Sequence, residues 1–401
     1  MMLSQRQLFF NHVAQTTEFP LALEIEHAEG VYLTDSNGKK YIDLISGIAV
    51  SNIGHRHPQV LEAIKNQIDK YLHLMVYGEY IQSPQVKLAN LLASILPPNL
   101  SCSYFVNSGS EAIEGAVKLA KRVTGKTHVL SFKNAYHGST QGALSIGGNE
   151  DFKNAYRPLI PGVITLEYNN LEALNTISFD SIACAVVEPI QGEAGVHIGS
   201  KEFLQELRRL CDKHCSLLVF DEIQSGAGRS GKIFAFEHTG VIPDVLCIAK
   251  AMGGGMPIGA FIASQKLMHT LTNNPILGHI TTFGGHPVSC AASYAAFSVL
   301  LQKDFISDLP KKEALFKQLL VHTAIKEIRG IGLMLAVQFD SFETNKKIID
   351  TCIKNGLITD WFLFCSDAMR IAPPLTITME EIEIACLIII HSMNEVMGIS
   401  N

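Results

Sequence analysis

The sequence predicts an α/β fold: a large domain on a mostly parallel sheet covered by helices, with a smaller α+β domain beside it. Three observations carry that expectation. Between about residues 100 and 265, short apolar runs alternate with helical stretches, the pattern of a parallel sheet buried on both faces. Two of those runs bring a charged side chain, Asp221 and Lys250, to the sheet edge. In the last hundred residues strand-like and helical segments mix, which suits a second, smaller unit. The 401 residues suffice for both units and a full core.

Residues 1–55 read as a helix followed by short strands. Gly30–Asp35 and Lys40–Leu44 flank Ser36-Asn37-Gly38, a hairpin signal. His57-Pro58 then opens an amphipathic helix from Val60 to Tyr71. Strands are expected at Ser103–Val106, His128–Phe132, Gly162–Leu166, Ile182–Glu188, Ser216–Phe220, Val245–Ile248 and Gly259–Ala263. Helices return at Pro287–Leu301 and Lys311–Leu320, and strand-like Gly332–Phe339 and Met369–Ile371 follow among helices. The expected division is 56–295 as the large domain, with 1–55 joining 296–401 in the small one.

Apolar residues make up 47% and charged residues 17%, with a net charge of −6 and both signs interspersed. This is a globular balance, and nothing in it suggests a nucleic-acid or membrane surface. No apolar run approaches the roughly 18 residues that span a bilayer. Met1–Asn11 lacks the basic and apolar stretches of a signal peptide. Nine cysteines without paired spacing argue against a disulfide framework and for a reducing cytoplasm. Cys211, His214 and Cys215 stand at helical spacing, but no second ligand pair with zinc spacing accompanies them, so no metal is expected.

Lys250 carries the most chemistry. It ends the run Val245–Lys250, and Met252-Gly253-Gly254-Gly255-Met256-Pro257 follows, so an amine sits at a sheet edge with little bulk around it. Leu217–Phe220 delivers Asp221 in the same way. A fixed amine and a carboxylate at a second strand end suit pyridoxal phosphate, which needs a lysine for its aldehyde and an acid for its ring nitrogen. The acid keeps that nitrogen protonated and the ring an electron sink. Gln224 can donate to the phenolic oxygen while Ile223 packs under the ring. Alone, Asp221-Glu222 reads more readily as a magnesium pair or an exposed turn; Lys250 reverses that balance.

Three more segments each predict part of such a site. Asn107-Ser108-Gly109-Ser110-Glu111-Ala112 follows a strand and opens a helix, where free N–H groups and the positive dipole end receive a phosphate. By itself it reads more readily as an ordinary serine cap. Ala135-Tyr136-His137-Gly138 offers an aromatic at a strand end, Tyr136 being the better stacking candidate; core packing is the plain alternative. Glu188-Pro189-Ile190-Gln191-Gly192-Glu193 reads as a loop lining a polar pocket, or as a solvated turn. Gly226-Ala227-Gly228-Arg229-Ser230-Gly231 matches the dinucleotide fingerprint, but no clear helix follows it, so a nicotinamide site is not expected.

Taken together, these segments resemble a class III aminotransferase of fold type I. Ala249–Gly255, Thr281-Thr282-Phe283-Gly284-Gly285 and Met369-Arg370-Ile371-Ala372-Pro373-Pro374 extend the resemblance over nearly the whole chain. Within that family the chain is most similar to acetylornithine and ornithine aminotransferases. The resemblance implies that Lys250 forms the Schiff base with pyridoxal phosphate and then shuttles the substrate proton. Asp221 would pair with the ring nitrogen, Gln224 with the phenolic oxygen, and Tyr136 would stack on the ring with Ile223 behind it. Ser108, Gly109 and Ser110 would hold the phosphate, and His137 and Glu188 would belong to the cofactor site. Thr282 would reach the phosphate of the neighbouring subunit, implying a homodimer with shared sites. Arg370 would grip a substrate carboxylate, with Glu193 covering it when the amine is at the far end of the substrate. Glutamate and 2-oxoglutarate would be the second pair in a ping-pong reaction.

Two positions depart from the family pattern. Ser139 stands where many of these enzymes have an arginine for the substrate's carboxylate, and Ile48 where ornithine enzymes have a tyrosine. Losing such a cation removes a charge-assisted bond, which argues against ornithine or its acetyl derivative as the donor; 4-aminobutyrate, lysine and diamines are the alternatives. His286 also replaces a usual asparagine. A mutase or decarboxylase on the same scaffold and a non-catalytic cofactor-binding protein are the competing classes. Arg370 with Glu193 favours transfer over the first, and the intact Lys250, Asp221 and Gln224 speak against the second.

Overall fold

The computed structural model describes residues 3–302 and 305–399. Its centre is a seven-stranded sheet in the order Cys102–Val106, Gly259–Ala263, Val245–Ile248, Leu217–Asp221, Ile182–Val187, His128–Phe132, Val163–Leu166. All seven expected strands are there, with ends shifted by one residue at most. Gly259–Ala263 runs antiparallel to both neighbours. The other pairings are parallel, so six strands point the same way and their carboxyl ends share one edge.

Side-chain alternation explains the helices on both faces. Leu218, Phe220, Leu246, Ile248, Ala260 and Ile262 join one core, while Val219, Val245, Cys247, Phe261 and Ala263 join the other. The helix Lys201–Lys213 buries Phe203, Leu204 and Leu207 against the first. Gly109–Thr124 buries Ala112, Ile113, Ala116, Leu119 and Ala120 against the second. Gly115 permits that close approach: a Cβ there would lie 2.3 Å from the Phe261 ring.

The hairpin Tyr32–Asp35 and Lys40–Asp43 is present, joined by Ile25–Glu29 on one side. On the other side Ile42 and Asp43 pair in parallel with Leu357 and Ile358, so the amino-terminal segment completes a sheet with a distant part of the chain. A second four-stranded sheet holds Glu327–Ile331, Met334–Gln338, Cys365–Ile371 and Trp361–Phe362. Helices run over Pro58–Ile68, Pro287–Leu300 and Leu309–Leu319, near their expected limits. Among the described residues no helix is long and apolar enough to cross a membrane.

Arg229 joins these parts. Its side chain is fully buried. One guanidinium nitrogen donates to the carbonyls of Leu333 (2.9 Å) and Pro373 (2.5 Å), and the other to Asn52 Oδ1. Asn52 Nδ2 donates in turn to the carbonyl of Ala227 at 2.8 Å. The glycines of the apparent dinucleotide fingerprint therefore serve a tight turn that aims this arginine inward; Gly228 and Gly231 sit at φ 88° and 87°.

Candidate active site

The shared carboxyl edge of the strands borders a cavity of about 450 Å³, the usual place for a ligand in an open α/β sheet. The helix Gly109–Thr124 begins at its wall, and Ser108, Gly109 and Ser110 line it. Ser108 is the cap, its hydroxyl accepting from the Glu111 N–H at 3.2 Å. The cap and anion-site readings are thus not exclusive, because the N–H groups of Gly109 and Ser110 still lie within the first turn. Packing around them is close. A Cβ on Gly109 would fall 2.9 Å from Ile223 Cδ1, and one on Gly138, where φ is 126°, would fall 2.0 Å from Ser110 Oγ.

Asp221 is the last residue of its strand and 4% exposed. Its Oδ2 lies 2.7 Å from His137 Nδ1, and its Oδ1 accepts from the Ile223 N–H at 3.0 Å. Burial pushes the His137 imidazole down, but the Asp221 hydrogen bond and charge, with the charge of Glu188, more than offset it and its pKa is raised. Glu188 accepts from the N–H groups of Tyr136 and Gly192 at 3.1 and 3.0 Å, tying two loops of the cavity together. Burial pushes its carboxyl up. Glu222, the other half of the acidic pair, turns away. It accepts from the N–H groups of Ala235 and Phe236, and burial pushes it up to about 8. It is neither an exposed acid nor a partner of Asp221 in metal binding.

Lys250 also faces the cavity. Its strand ends at Ile248, and Lys250 opens a single 3-10 turn, Lys250–Gly253, at φ 48°. A side chain at that φ is strained by ~1–3 kcal/mol, the kind of geometry kept where position matters more than stability. Burial pushes the amine's pKa down, with the charges of Glu193 and Asp221 opposing. A lowered pKa leaves more neutral amine, the nucleophilic form.

Glu193 and Arg370 make a bidentate ion pair, Nη1 to Oε1 at 3.0 Å and Nη2 to Oε2 at 2.9 Å. Gln224 gives its amide to Glu193 Oε1 at 2.9 Å, and the Leu363 N–H reaches Oε2 at 3.2 Å. Burial alone would raise the Glu193 pKa, yet Arg370 holds it at about 2, so the carboxylate is ionised. A second carboxylate was not foreseen: Asp360 Oδ1 accepts from Arg370 Nε at 2.8 Å.

Eleven of the expected residues line the cavity: Ser108, Gly109, Ser110, Tyr136, His137, Glu188, Glu193, Asp221, Ile223, Gln224 and Lys250. Arg370 stands behind Glu193. Ser139 is exposed, its hydroxyl 3.1 Å from that of Tyr136. Thr282 is exposed on the segment after Asn107's partner Thr281. Ile48 does not line the cavity; Val50 does, because residues 46–49 make a left-handed turn (φ 50° to 63°) that changes which side chain faces inward. Met256 and Asn107 also line it.

These donors fit pyridoxal phosphate. The wall offers helix N–H groups and hydroxyls for an anion, a carboxylate set by a histidine for a cationic ring nitrogen, and a buried amine for an aldehyde. The sequence model described as "Aminotransferase class-III" matches residues 13–393. The chain is a class III aminotransferase. The acetylornithine aminotransferase of Methanopyrus kandleri is 39% identical over 374 residues, 93% of this chain and 94% of that protein. The ornithine aminotransferase of Toxoplasma gondii, solved with partial occupancy of PLP at its active site, superposes with a TM-score of 0.90 at 29% identity over 97% of this chain and 93% of that one. An amine transaminase from an uncultivated Pseudomonas species, in its PLP-bound form, superposes with a TM-score of 0.87 at 26% identity over 96% and 98%. The cofactor of this aminotransferase is pyridoxal phosphate, and the fold is that of the fold type I enzymes.

The cradle yields a first prediction for the aminotransferase. Gly138→Ala puts a Cβ into Ser110 at a φ unsuited to alanine. Overpacking of this kind costs ~1–3 kcal/mol, and the shift falls on the Ser108–Ser110 turn of the cavity wall. Cofactor affinity should drop on the order of tenfold, read as loss of the visible absorbance on dialysis. Full retention would show that the turn tolerates the methyl group.

Proposed function

We propose that this aminotransferase takes its amino group from a substrate whose amine is terminal, of the acetylornithine, ornithine or related kind, and passes it to 2-oxoglutarate in a ping-pong reaction. The bidentate Glu193–Arg370 pair carries the reading. With Glu193 in place the arginine is neutralised, which suits a donor that brings an amine without an adjacent carboxylate. With Glu193 displaced, the same two N–H groups suit the carboxylate of glutamate or 2-oxoglutarate.

Bound pyridoxal phosphate supplies an aldehyde and an electron-withdrawing ring. In our reading Lys250 would hold the cofactor through its aldehyde and would then move the substrate proton. Asp221, aligned by His137, would secure the proton on the ring nitrogen. Tyr136 and Ile223, which both line the cavity, would pack against the ring. Gln224 is engaged with Glu193 here, so its reach to the phenolic oxygen would follow movement of Glu193. Thr282, exposed in the single chain, is free to meet a second subunit, which supports a homodimer with shared sites. A small domain of 1–55 with 296–401 is supported by the Ile42–Leu357 strand pairing. Nine free cysteines support a reducing cytoplasm.

A second reading of the donor is favoured by Ser139. Its neutral hydroxyl bonds Tyr136 where an arginine would meet a donor's carboxylate. This favours a diamine, which brings no carboxylate, and leaves 4-aminobutyrate and lysine as donors whose carboxylate would have to be met by another group. The deciding experiment is a half-reaction screen: acetylornithine, ornithine, lysine, 4-aminobutyrate, diamines and alanine, each followed at the cofactor's absorbance, then 2-oxoglutarate to restore it. Conversion by glutamate alone would remove every donor named here.

Arg370→Ala tests the carboxylate site. Losing a bidentate charged contact should raise the KM for 2-oxoglutarate roughly 100-fold, with a smaller effect on the terminal-amine half-reaction. Equal losses in both would count against the assignment.

A further inference from the structure

We propose that Asp360 is a positioning residue for substrate carboxylates: it fixes the Arg370 guanidinium so that carboxylates exchange over a stationary fork. This rests on the carboxylate reading of Arg370 given above. Asp360 Oδ1 takes the Nε–H at 2.8 Å, the edge that neither Glu193 nor a bidentate substrate uses. The backbone repeats the restraint, since the Arg370 N–H donates to the Asp360 carbonyl at 2.8 Å. The Phe362 ring lies under the guanidinium, its centroid 4.4 Å from Cζ. One hairpin, from Asp360 through Arg370, thus holds the arginine by its side and one face. Glu193 arrives from a different segment and is the group left to move.

The charge of Asp360 bears on this less than its shape. It weakens the hold of Arg370 on Glu193 and on a substrate carboxylate alike, because both use the same edge. In the exchange of one for the other the two effects nearly cancel. What does not cancel is alignment. Glu193 has the Gln224 amide and the Leu363 N–H to seat it against the fork, whereas a substrate carboxylate depends on the fork being already in place. Without an acceptor at Nε the fork can rotate about its last bonds, and two parallel hydrogen bonds tolerate little rotation. The acceptor, and not the negative charge, is therefore the working feature.

Two variants separate these features. Asp360→Ala removes acceptor and charge; Asp360→Asn removes the charge and keeps an acceptor oxygen. The probe is glutarate, which has both carboxylates of 2-oxoglutarate and no carbonyl to react. Its dissociation constant is measured by calorimetry on the cofactor-loaded enzyme, beside KM and kcat for 2-oxoglutarate. Asp360→Ala should weaken glutarate and raise KM on the order of tenfold, several-fold more than it slows the amine-donor half-reaction. Asp360→Asn should recover most of that loss, to within about threefold of the unmodified enzyme. The proposal is overturned if both variants weaken glutarate equally, or if the donor half-reaction suffers as much as glutarate binding. Arg370→Ala is run alongside: unchanged glutarate affinity there would remove the carboxylate site itself. Loss there, with Asp360→Ala unaffected, would overturn Asp360 alone. Asp360→Asn changes no volume, so it keeps the test open if the alanine variant folds poorly.

Discussion

Lys250→Ala is expected to lower turnover by about four orders of magnitude or more while the fold persists. The amine sits in the cavity at a strained φ of 48°, and burial lowers its pKa. Without it the cavity loses its amine, and the neighbouring carboxylates are already engaged: Glu193 by Arg370, Asp221 by His137 and Glu188 by the Tyr136 and Gly192 N–H groups. Borohydride treatment of the loaded enzyme followed by peptide mapping supplies an independent readout. The label should fall on residue 250 in the unmodified protein and be absent from the variant. A small added amine should restore part of the rate. Labelling at another lysine, or activity within tenfold, would dismantle the assignment of Lys250.

Asp221→Ala should cost about three orders of magnitude in kcat and ~3 kcal/mol in stability. The stability loss arises because His137, fully buried, loses the partner at 2.7 Å. Its pH dependence has a definite sign. The His137 pKa is raised in the folded protein. Its contribution is therefore complete below the unfolded value of about 6.5 and lost as pH rises through the raised folded value. The gap in thermal midpoint between the two proteins should be widest near pH 6 and narrow toward alkaline pH. A gap that widened instead would mean that His137 is not the group being stabilised. Cofactor concentration must be held constant, since binding shifts the midpoint by mass action.

Much of the site was legible because the sheet writes it in a simple form. The apolar runs that end at Val106, Val187, Phe220 and Ile248 are followed at once by residues that line the cavity: Asn107 and Ser108, Glu188, Asp221, and Ala249 with Lys250. What could not be read depends on pairing between strands. Asp360 is ten residues before Arg370 in sequence, and only the hairpin that joins Trp361–Phe362 to Cys365–Ile371 brings them together. Val50 was hidden by the left-handed turn at residues 46–49, since no periodicity rule applies where consecutive residues leave the ordinary φ range. Ile25–Glu29 was missed because its sequence, Ile-Glu-His-Ala-Glu, is almost wholly exposed and lacks the apolar alternation of a half-buried strand. The direction taken by Glu222 was not legible either, because its partners are backbone N–H groups 13 and 14 residues later, and a sequence does not display such donors.

The buried Arg229 ties two walls of the cavity together. Its turn follows the strand of Asp221, and it grips the carbonyl of Pro373, three residues past Arg370. Asp221 and Arg370 are thereby surveyed from one fixed peg. A substrate that reached between them, as proposed above, would find that span held by an arginine it need not touch.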